Sequence, residues 1–472
     1  MGAKLRPYLF YDSAVSVCST CLRRVEAKIL IKDERVFLEK WCADHGRERV
    51  LIADDAAYYR KSREVFIKPP ELPQRFNTEQ RWGCPYDCGL CPEHMQHSCL
   101  TLVEITDHCN LRCPICYAES GPHRPGFHDL ATVERMLDAV VANEGEPDVV
   151  QISGGEPTLH PDFFAILDAA KRRPIRHLMI NTNGLRIAKE RDFAARLATY
   201  QPGFEVYLQF DSLRDEVHQE LRGAKLAEVR RRALEHLNEH DISTTLVVTV
   251  KKGLNDGELG SIIDFALTQP CVRGVTFQPI QGAGRLENYD PALNRLTLTE
   301  VRRRILEQTR VFQPDDLIPV PCNPDCLAMA YALKLDGATL PLTRFVAPET
   351  LVAKGRNTIV VERDEELRAH VFELFATNHS PESQACSLSD LLCCLPKVQA
   401  PADLGYRNVF RVLIMQFIDA LSFDLRAVKK SCVHIAQADG TIVPFDTFNL
   451  FYRDERRQRL QQLRAAATGS TY

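Results

Sequence analysis

The sequence predicts an α/β protein built on a parallel sheet, and three observations carry that expectation. Between residues 100 and 285, six short apolar segments alternate with amphipathic helical segments. Right-handed βαβ crossovers impose this alternation on a parallel sheet. The segments are apolar almost without interruption, as strands covered on both faces are. Ahead of them lies an unusual cysteine density, with ten of the 17 cysteines before residue 117. Six βα units are too few to close an eight-stranded barrel, which leaves a partial barrel or a doubly wound sheet.

Residues 1–75 form a cysteine-bearing, strand-rich opening, with 25–30 and 36–41 reading as a hairpin. Lys68-Pro69-Pro70-Glu71-Leu72-Pro73 follows as a linker, because three prolines in six residues exclude helix and ladder alike. Residues 76–100 make a second cysteine segment. Strands are expected at 100–106, 148–153, 175–181, 204–210, 243–250 and 273–279. Asp129 is placed to cap a helix whose Leu130, Val133, Leu137, Val140 and Val141 keep a 3.6-residue stripe. Pro161 suits a first helical position ahead of Phe163 and Phe164. Helices over 192–200, 224–240 and 256–267 fill the other gaps and complete a barrel segment at 101–285. Residues 286–472 lose the alternation and read as a C-terminal region with a helix near 299–312, a cysteine loop and an apolar helix near 409–421.

The chain has 63 acidic and 59 basic residues, a formal net charge of −4, which gives no electrostatic case for a nucleic-acid partner. Its 45% hydrophobic content excludes a disordered chain. No apolar run reaches the ~18 residues of a membrane span, and Met1-Gly2-Ala3-Lys4-Leu5-Arg6 does not open a secretory leader. A cytoplasmic location is expected, with peripheral contact at the inner membrane surface as the most membrane association allowed. In a reducing compartment, dense cysteines point to metal or redox chemistry. Buried free thiols are the plainer alternative, and they suit the isolated Cys271 and Cys386.

The strongest motif is Cys109-Asn-Leu-Arg-Cys113-Pro-Ile-Cys116-Tyr117, in the loop after the first expected strand. Three thiolates at this spacing can bind three irons of a cubane and leave the fourth open to a bidentate ligand. A zinc knuckle is the rival, but zinc prefers four protein ligands. Gly154-Gly155-Glu156-Pro157-Thr158 directly follows the second strand. Its glycines let backbone approach a ligand closely, and Glu156 offers a carboxylate to an ammonium group.

Together these residues resemble the radical S-adenosylmethionine (SAM) superfamily over roughly 100–285. The resemblance implies a (β/α)6 partial TIM barrel in which Cys109, Cys113 and Cys116 hold a [4Fe-4S] cluster. SAM chelates its unique iron, and the Gly154–Pro157 turn binds the methionine amine. One electron, from a flavodoxin or ferredoxin donor, cleaves SAM to a 5′-deoxyadenosyl radical that abstracts a substrate hydrogen. Asn183, Gln209 and Gln278, which close later strands, become candidates for contact with SAM or substrate, and Tyr117 for shielding the cluster.

Other cysteines extend the pattern. Cys84, Cys88, Cys91 and Cys99 could complete a closed auxiliary [4Fe-4S] cluster, with zinc as the rival and an electron-conduit or a substrate role both open. Cys18, Cys21, Cys42 and His45 give a tetrahedral Cys3His site on a rubredoxin-like or zinc-ribbon knuckle, for mononuclear zinc or iron. Cys322, Cys326 and the distant Cys432 suggest a second auxiliary cluster in a C-terminal auxiliary-cluster domain, with Cys393 and Cys394 between them. This whole arrangement resembles the branch that contains the archaeal tetraether lipid synthase and its bacterial relatives. That branch couples lipid hydrocarbon chains, so a lipid substrate is implied. One departure stands at Asp446, where the branch places a cysteine after Pro444-Phe445. The third cluster would then use Asp446, Cys393 or Cys394, or be absent. A maturase acting on a peptide or small cofactor precursor is the alternative. A non-catalytic iron–sulfur redox protein is the second alternative, and the Gly154–Thr158 turn speaks against it. The 409–421 helix could line a lipid tunnel, though a helix apolar all round is more often simply buried.

Overall fold

Four antiparallel strands, paired in sequence order, begin the fold: β1 (Leu9–Val17), β2 (Arg24–Lys32), β3 (Arg35–Cys42) and β4 (Gly46–Ala53). The computed structural model describes residues 6–124, 126–335, 338–344, 347–349, 357–359 and 406–468. The expected hairpin is the β2–β3 pair. Its turn residues Asp33 and Glu34 both take positive φ, at 51° and 56°, the conformation that matches a two-residue turn to strand twist. A helix over Ala56–Glu64 follows, capped by Asp55, whose carboxylate accepts from Tyr58 N.

The barrel begins at β5 (Leu100–Glu104), and a short β6 (Ile115–Cys116) lies within the cysteine loop. Then come β7 (Val149–Ser153), β8 (His177–Thr182), β9 (Phe204–Gln209), β10 (Thr244–Val250) and β11 (Val272–Pro279). The six long strands pair in parallel in the order β5-β7-β8-β9-β10-β11. Each lies within two residues of its expected bounds, because an apolar strand buried on both faces is marked at both ends by the first polar or turn residue. Asp129 caps the helix Leu130–Glu144 as expected, its side chain accepting from Thr132 N. The proline expected to open the next helix stands one residue before the cap: Asp162 is the N-cap of Phe163–Lys171. An additional helix, Asp215–Arg222, precedes Ala227–Glu239.

The residues expected to form a separate C-terminal unit instead continue this sheet at both lips. Beyond β12 (Arg285–Leu286), which pairs with β6, come β13 (Ile318–Pro319), β14 (Leu327–Leu335), β15 (Ala338–Pro341), β16 (Val409–Met415), β17 (Val433–Ala436) and β18 (Ile442–Pro444). β16 runs parallel to β11 and antiparallel to β14. At the opposite lip, β17 runs parallel to β5 and carries β18. The apolar run expected as a helix near 409–421 instead opens with strand β16, buried at every residue but Val409 and paired along its edges with β11 and β14. A tunnel lined by that helix falls with it.

The loops that carry Cys109–Cys116, Gly154–Thr158 and Asn183 leave the C-terminal ends of β5, β7 and β8. Among the described residues no helix is long and apolar enough to cross a membrane.

Candidate active site and metal centres

A cavity of about 130 Å³ opens at the C-terminal end of the barrel, and Cys109, Cys113 and Cys116 line it together. Two contacts from the far side hold their loop: Arg285 Nε donates to Cys113 O at 2.6 Å, and Arg285 Nη2 donates to Ser120 O at 2.6 Å. Burial pushes the Cys109 thiol up to about 12 and raises the Cys113 thiol as well. A thiolate here needs a metal's positive charge beside it. Three soft donors converge on one cavity wall, which fits a cluster held by three cysteines.

The glycine turn forms the adjoining wall. Gly154 has φ +124°, and a Cβ on it would meet Thr106 O at 2.2 Å; a Cβ on Gly155 would meet His108 O at 2.1 Å. Gly155 N donates to Thr106 O at 2.6 Å and Glu156 N to His108 O at 2.8 Å. The glycines therefore bring the turn against the backbone that leads into Cys109. Glu156 departs from its expected role of meeting an ammonium. Its side chain is 1% exposed and points into the protein. Oε1 accepts from Thr158 N, Thr158 Oγ1 and Thr182 Oγ1 at 3.2, 2.6 and 2.8 Å, and Oε2 accepts from Asn183 N at 2.7 Å. Four donors to one carboxylate bolt the end of β8 to the turn. Pro157 opens the short helix that follows.

Amides occupy the strand ends around the rest of the cavity. Asn183 Nδ2 donates to Asn110 Oδ1 at 2.7 Å and stands 4.0 Å from Cys109 Sγ. Gln209 Nε2 donates to Asn181 Oδ1 at 2.8 Å, and Gln209 Oε1 accepts from Arg222 at 3.0 Å. Gln278 Nε2 donates to Tyr207 OH at 3.0 Å, and Gln281 Nε2 donates to Ile418 O at 2.7 Å. Tyr117, Phe417 and Phe445 close one side as an aromatic wall, with Phe417 and Phe445 stacked at 3.9 Å and Tyr117 4.8 Å from Phe445.

Two arginines that the sequence reading did not single out also line the cavity. Arg222 pairs with buried Asp211, both contacts at 2.6 Å. Arg230 has no such partner. It is among the largest fully buried side chains, its Nη1 donates only to Asn183 O, and its Nε and Nη2 have no hydrogen-bond partner. Burial lowers its pKa to about 10. An unsatisfied buried guanidinium on a cavity wall can take a carboxylate. In sequence it heads Arg230-Arg231-Arg232 and looks like a solvated helix face.

On the opening sheet, Cys18, Cys21, Cys42 and His45 converge, with all ligand atoms within 4.8 Å of one another. Cys21 and Cys42 sulfurs are 3.8 Å apart, and His45 Nδ1 is 3.6 Å from Cys18 Sγ and 3.5 Å from Cys42 Sγ. Tetrahedral zinc with Zn–S bonds of ~2.3 Å separates its sulfurs by about 3.8 Å. The imidazole draws the Cys42 thiol down to about 6, the deprotonated form that a metal takes.

Residues 103–266 match the radical SAM superfamily, and residues 10–54 match the HMPTM N-terminal zinc ribbon domain. The barrel is a radical SAM superfamily domain, and the chain that carries it is a radical SAM enzyme. It is similar over nearly its whole length to the 7,8-dihydro-6-hydroxymethylpterin dimethyltransferase of Methanocaldococcus jannaschii, at 29% identity over 94% of each chain. Shorter similarities include the GTP 3′,8-cyclase of Alkaliphilus metalliredigens, 30% identical over 38% of this chain and 56% of its own. The mycofactocin maturase MftC of Mycobacterium ulcerans is 34% identical over 36% and 43%. The lipid substrate drawn from the tetraether-synthase resemblance gains no support from these relatives.

Radical SAM enzymes use a [4Fe-4S] cluster and SAM, and this one carries further cysteine clusters. Their membership differs from the expectation. Cys99 does not join Cys84, Cys88 and Cys91; it groups with Cys322 and Cys432 within 4.8 Å. Cys322 and Cys432 sulfurs are 3.3 Å apart. Against burial, hydrogen bonds with Cys432 and Cys99 hold the Cys322 thiol down at about 5. A soft metal centre fits this all-thiol donor set. Cys326 lies outside that group of three, as does Asp446, whose two oxygens accept from Ile418 N at 2.6 Å and Ser431 Oγ at 2.7 Å. Cys84 and Cys88 adjoin, with Cys91 near them, and all three are buried. Cys386, Cys393 and Cys394 lie outside the described residues.

Proposed function

We propose that this radical SAM enzyme functionalises a small, flat, polar heterocycle of the reduced-pterin class, ending in methyl transfer to an unactivated carbon. The observation that carries this reading is the cavity wall. Amides of Asn181, Gln209, Gln278 and Gln281, which carry both donors and acceptors, line the cavity together with the rings of Tyr117, Phe417 and Phe445. A pterin edge alternates donors and acceptors, and its ring faces suit aromatic contact. A hydrocarbon chain would desolvate that wall and return no hydrogen bonds. The full-length similarity to a pterin methyltransferase supports the same substrate class.

When bound, the cluster and SAM supply one-electron chemistry that removes a hydrogen atom from the substrate. Cys109, Cys113 and Cys116 hold the cluster. The Gly154–Gly155 backbone lines the methionine site, and Arg230 takes the methionine carboxylate. Gln209, Asn181 and Gln278 orient the heterocycle, while Tyr117, Phe417 and Phe445 exclude water from the reacting carbon. A flavodoxin- or ferredoxin-type carrier provides the electron.

The test is anaerobic incubation of the reconstituted full chain with dithionite, methyl-deuterated SAM and 7,8-dihydro-6-hydroxymethylpterin. Mass spectrometry should show labelled methyl on the pterin, together with 5′-deoxyadenosine, and Cys113→Ala should give neither. Release of 5′-deoxyadenosine with unmodified pterin would overturn the substrate reading.

A further inference from the structure

Three consecutive residues, Phe445, Asp446 and Thr447, are 2%, 3% and 0% exposed and each faces a different site. Phe445 is part of the cavity wall beside Cys116-Tyr117, its ring against Tyr117. Asp446 accepts from Ser431, the neighbour of Cys432. The Thr447 hydroxyl lies 3.0 Å from Cys88 Sγ and 3.1 Å from Pro444 O. A hydroxyl has one proton, and a metal-bound thiolate is the stronger of these acceptors because it carries charge.

None of Cys84, Cys88, Cys91, Cys99, Cys322 or Cys432 lines the cavity. What stands between the Cys84/Cys88/Cys91 site and the cavity is this turn, with Thr447 on the cysteine side and Phe445 on the cavity side. A centre held by Cys84, Cys88 and Cys91 would therefore lie outside the cavity, linked to the SAM-cluster loop through Thr447 at Cys88 and Phe445 at Tyr117.

We propose that the Phe445–Thr447 turn couples an iron–sulfur centre at Cys84, Cys88 and Cys91 to the Cys109/Cys113/Cys116 centre for electron transfer, and that Thr447 sets the potential of the former. The electron balance is simple. The Cys88 centre loses one electron, the Cys113 centre gains it, and a low-potential one-electron carrier protein refills the first; no proton moves. A hydrogen bond donated to a cluster sulfur stabilises the reduced, more negative state and raises the potential. Thr447 is thus a positioning residue for electron flow rather than a catalytic one. The proposal rests on the radical SAM assignment and is independent of which substrate the cavity takes.

Potentiometric titration of the reconstituted full chain, read by electron paramagnetic resonance without substrate, tests it. Cys88→Ala should abolish one signal, and Thr447→Val should shift that signal alone. At fixed potential its reduced-to-oxidised ratio should fall about tenfold, or about 59 mV for a one-electron couple. Thr447→Ser, which keeps the hydroxyl, should titrate as the parent does. Reduction of the Cys113-dependent signal by a reduced ferredoxin should slow at least tenfold in Cys88→Ala. An unshifted Thr447→Val, a shift in the Cys113-dependent signal instead, or a Cys88→Ala chain with every signal intact and reduced at the parental rate would overturn the proposal. Because no pterin is present, failure of the substrate reading leaves these outcomes unaffected.

Discussion

Replacing Arg230 with methionine keeps the aliphatic stem and removes the guanidinium, which separates affinity from stability. In the SAM-free protein this guanidinium is a liability: it is fully buried, two of its nitrogens lack partners, and burial holds its pKa down at about 10. Its one bond goes to Asn183 O, and losing that costs about 1 kcal/mol, offset by removal of the desolvated charge. The stability of the SAM-free variant should therefore equal or exceed that of the parent. Binding should move the other way. Truncating one partner of a buried, hydrogen-bonded charge pair costs about 2–5 kcal/mol, so SAM should bind about 30-fold to several thousand-fold more weakly. Equilibrium dialysis with SAM and with decarboxylated SAM, run beside thermal unfolding, reads both quantities. The parent should discriminate strongly against the analogue, and the variant should not. Parental SAM affinity in Arg230→Met, or loss of stability with no change in affinity, would refute the reasoning.

Cys99→Ala and Cys322→Ala should remove the same metal equivalents, and the double variant should remove no more, while Cys88→Ala removes a different set; metal analysis of each purified chain checks this. Gly155→Ala puts a methyl 2.1 Å from His108 O. The shift it forces should cost about 1–3 kcal/mol and lower iron retention at the Cys109 loop, as read by unfolding and iron assay. Burial holds Lys334 at about 8, below the ~10.4 of the unfolded chain. Between those values the unfolded chain carries the extra proton, so stability rises with pH; Lys334→Met should flatten that rise in denaturant midpoints measured across the window.

The six barrel strands are readable because each is a short apolar run, and three of them end on a polar residue at the lip of the site: Ser153, Thr182 and Gln209. The same kind of run misled at Val409–Met415. Seven apolar-rich residues without a period read equally as buried helix or buried strand, and only pairing with β11 and β14 decides between them. Local spacing assembled Cys109, Cys113 and Cys116, and likewise Cys18, Cys21, Cys42 and His45, because their ligands share a loop or a hairpin. It failed for Cys99. This residue stands eight past Cys91 in sequence, yet the sheet delivers it to Cys432 through the β5–β17 pairing, where Leu100 faces Val433. In sequence Glu156 shows only its charge, whereas in the fold hydroxyls and backbone amides surround its carboxylate and make it a brace. Arg230 was hidden among arginines that do face water.

The two outer strands of the parallel set never meet solvent along their edges, since β17 covers one and β16 the other. A fragment cut to residues 101–285 would bare both rows of peptide groups and invite edge-to-edge association. The radical-generating half of this enzyme is thus not a detachable cassette. Whatever alters the distal third of the chain also decides whether the catalytic barrel stays monodisperse.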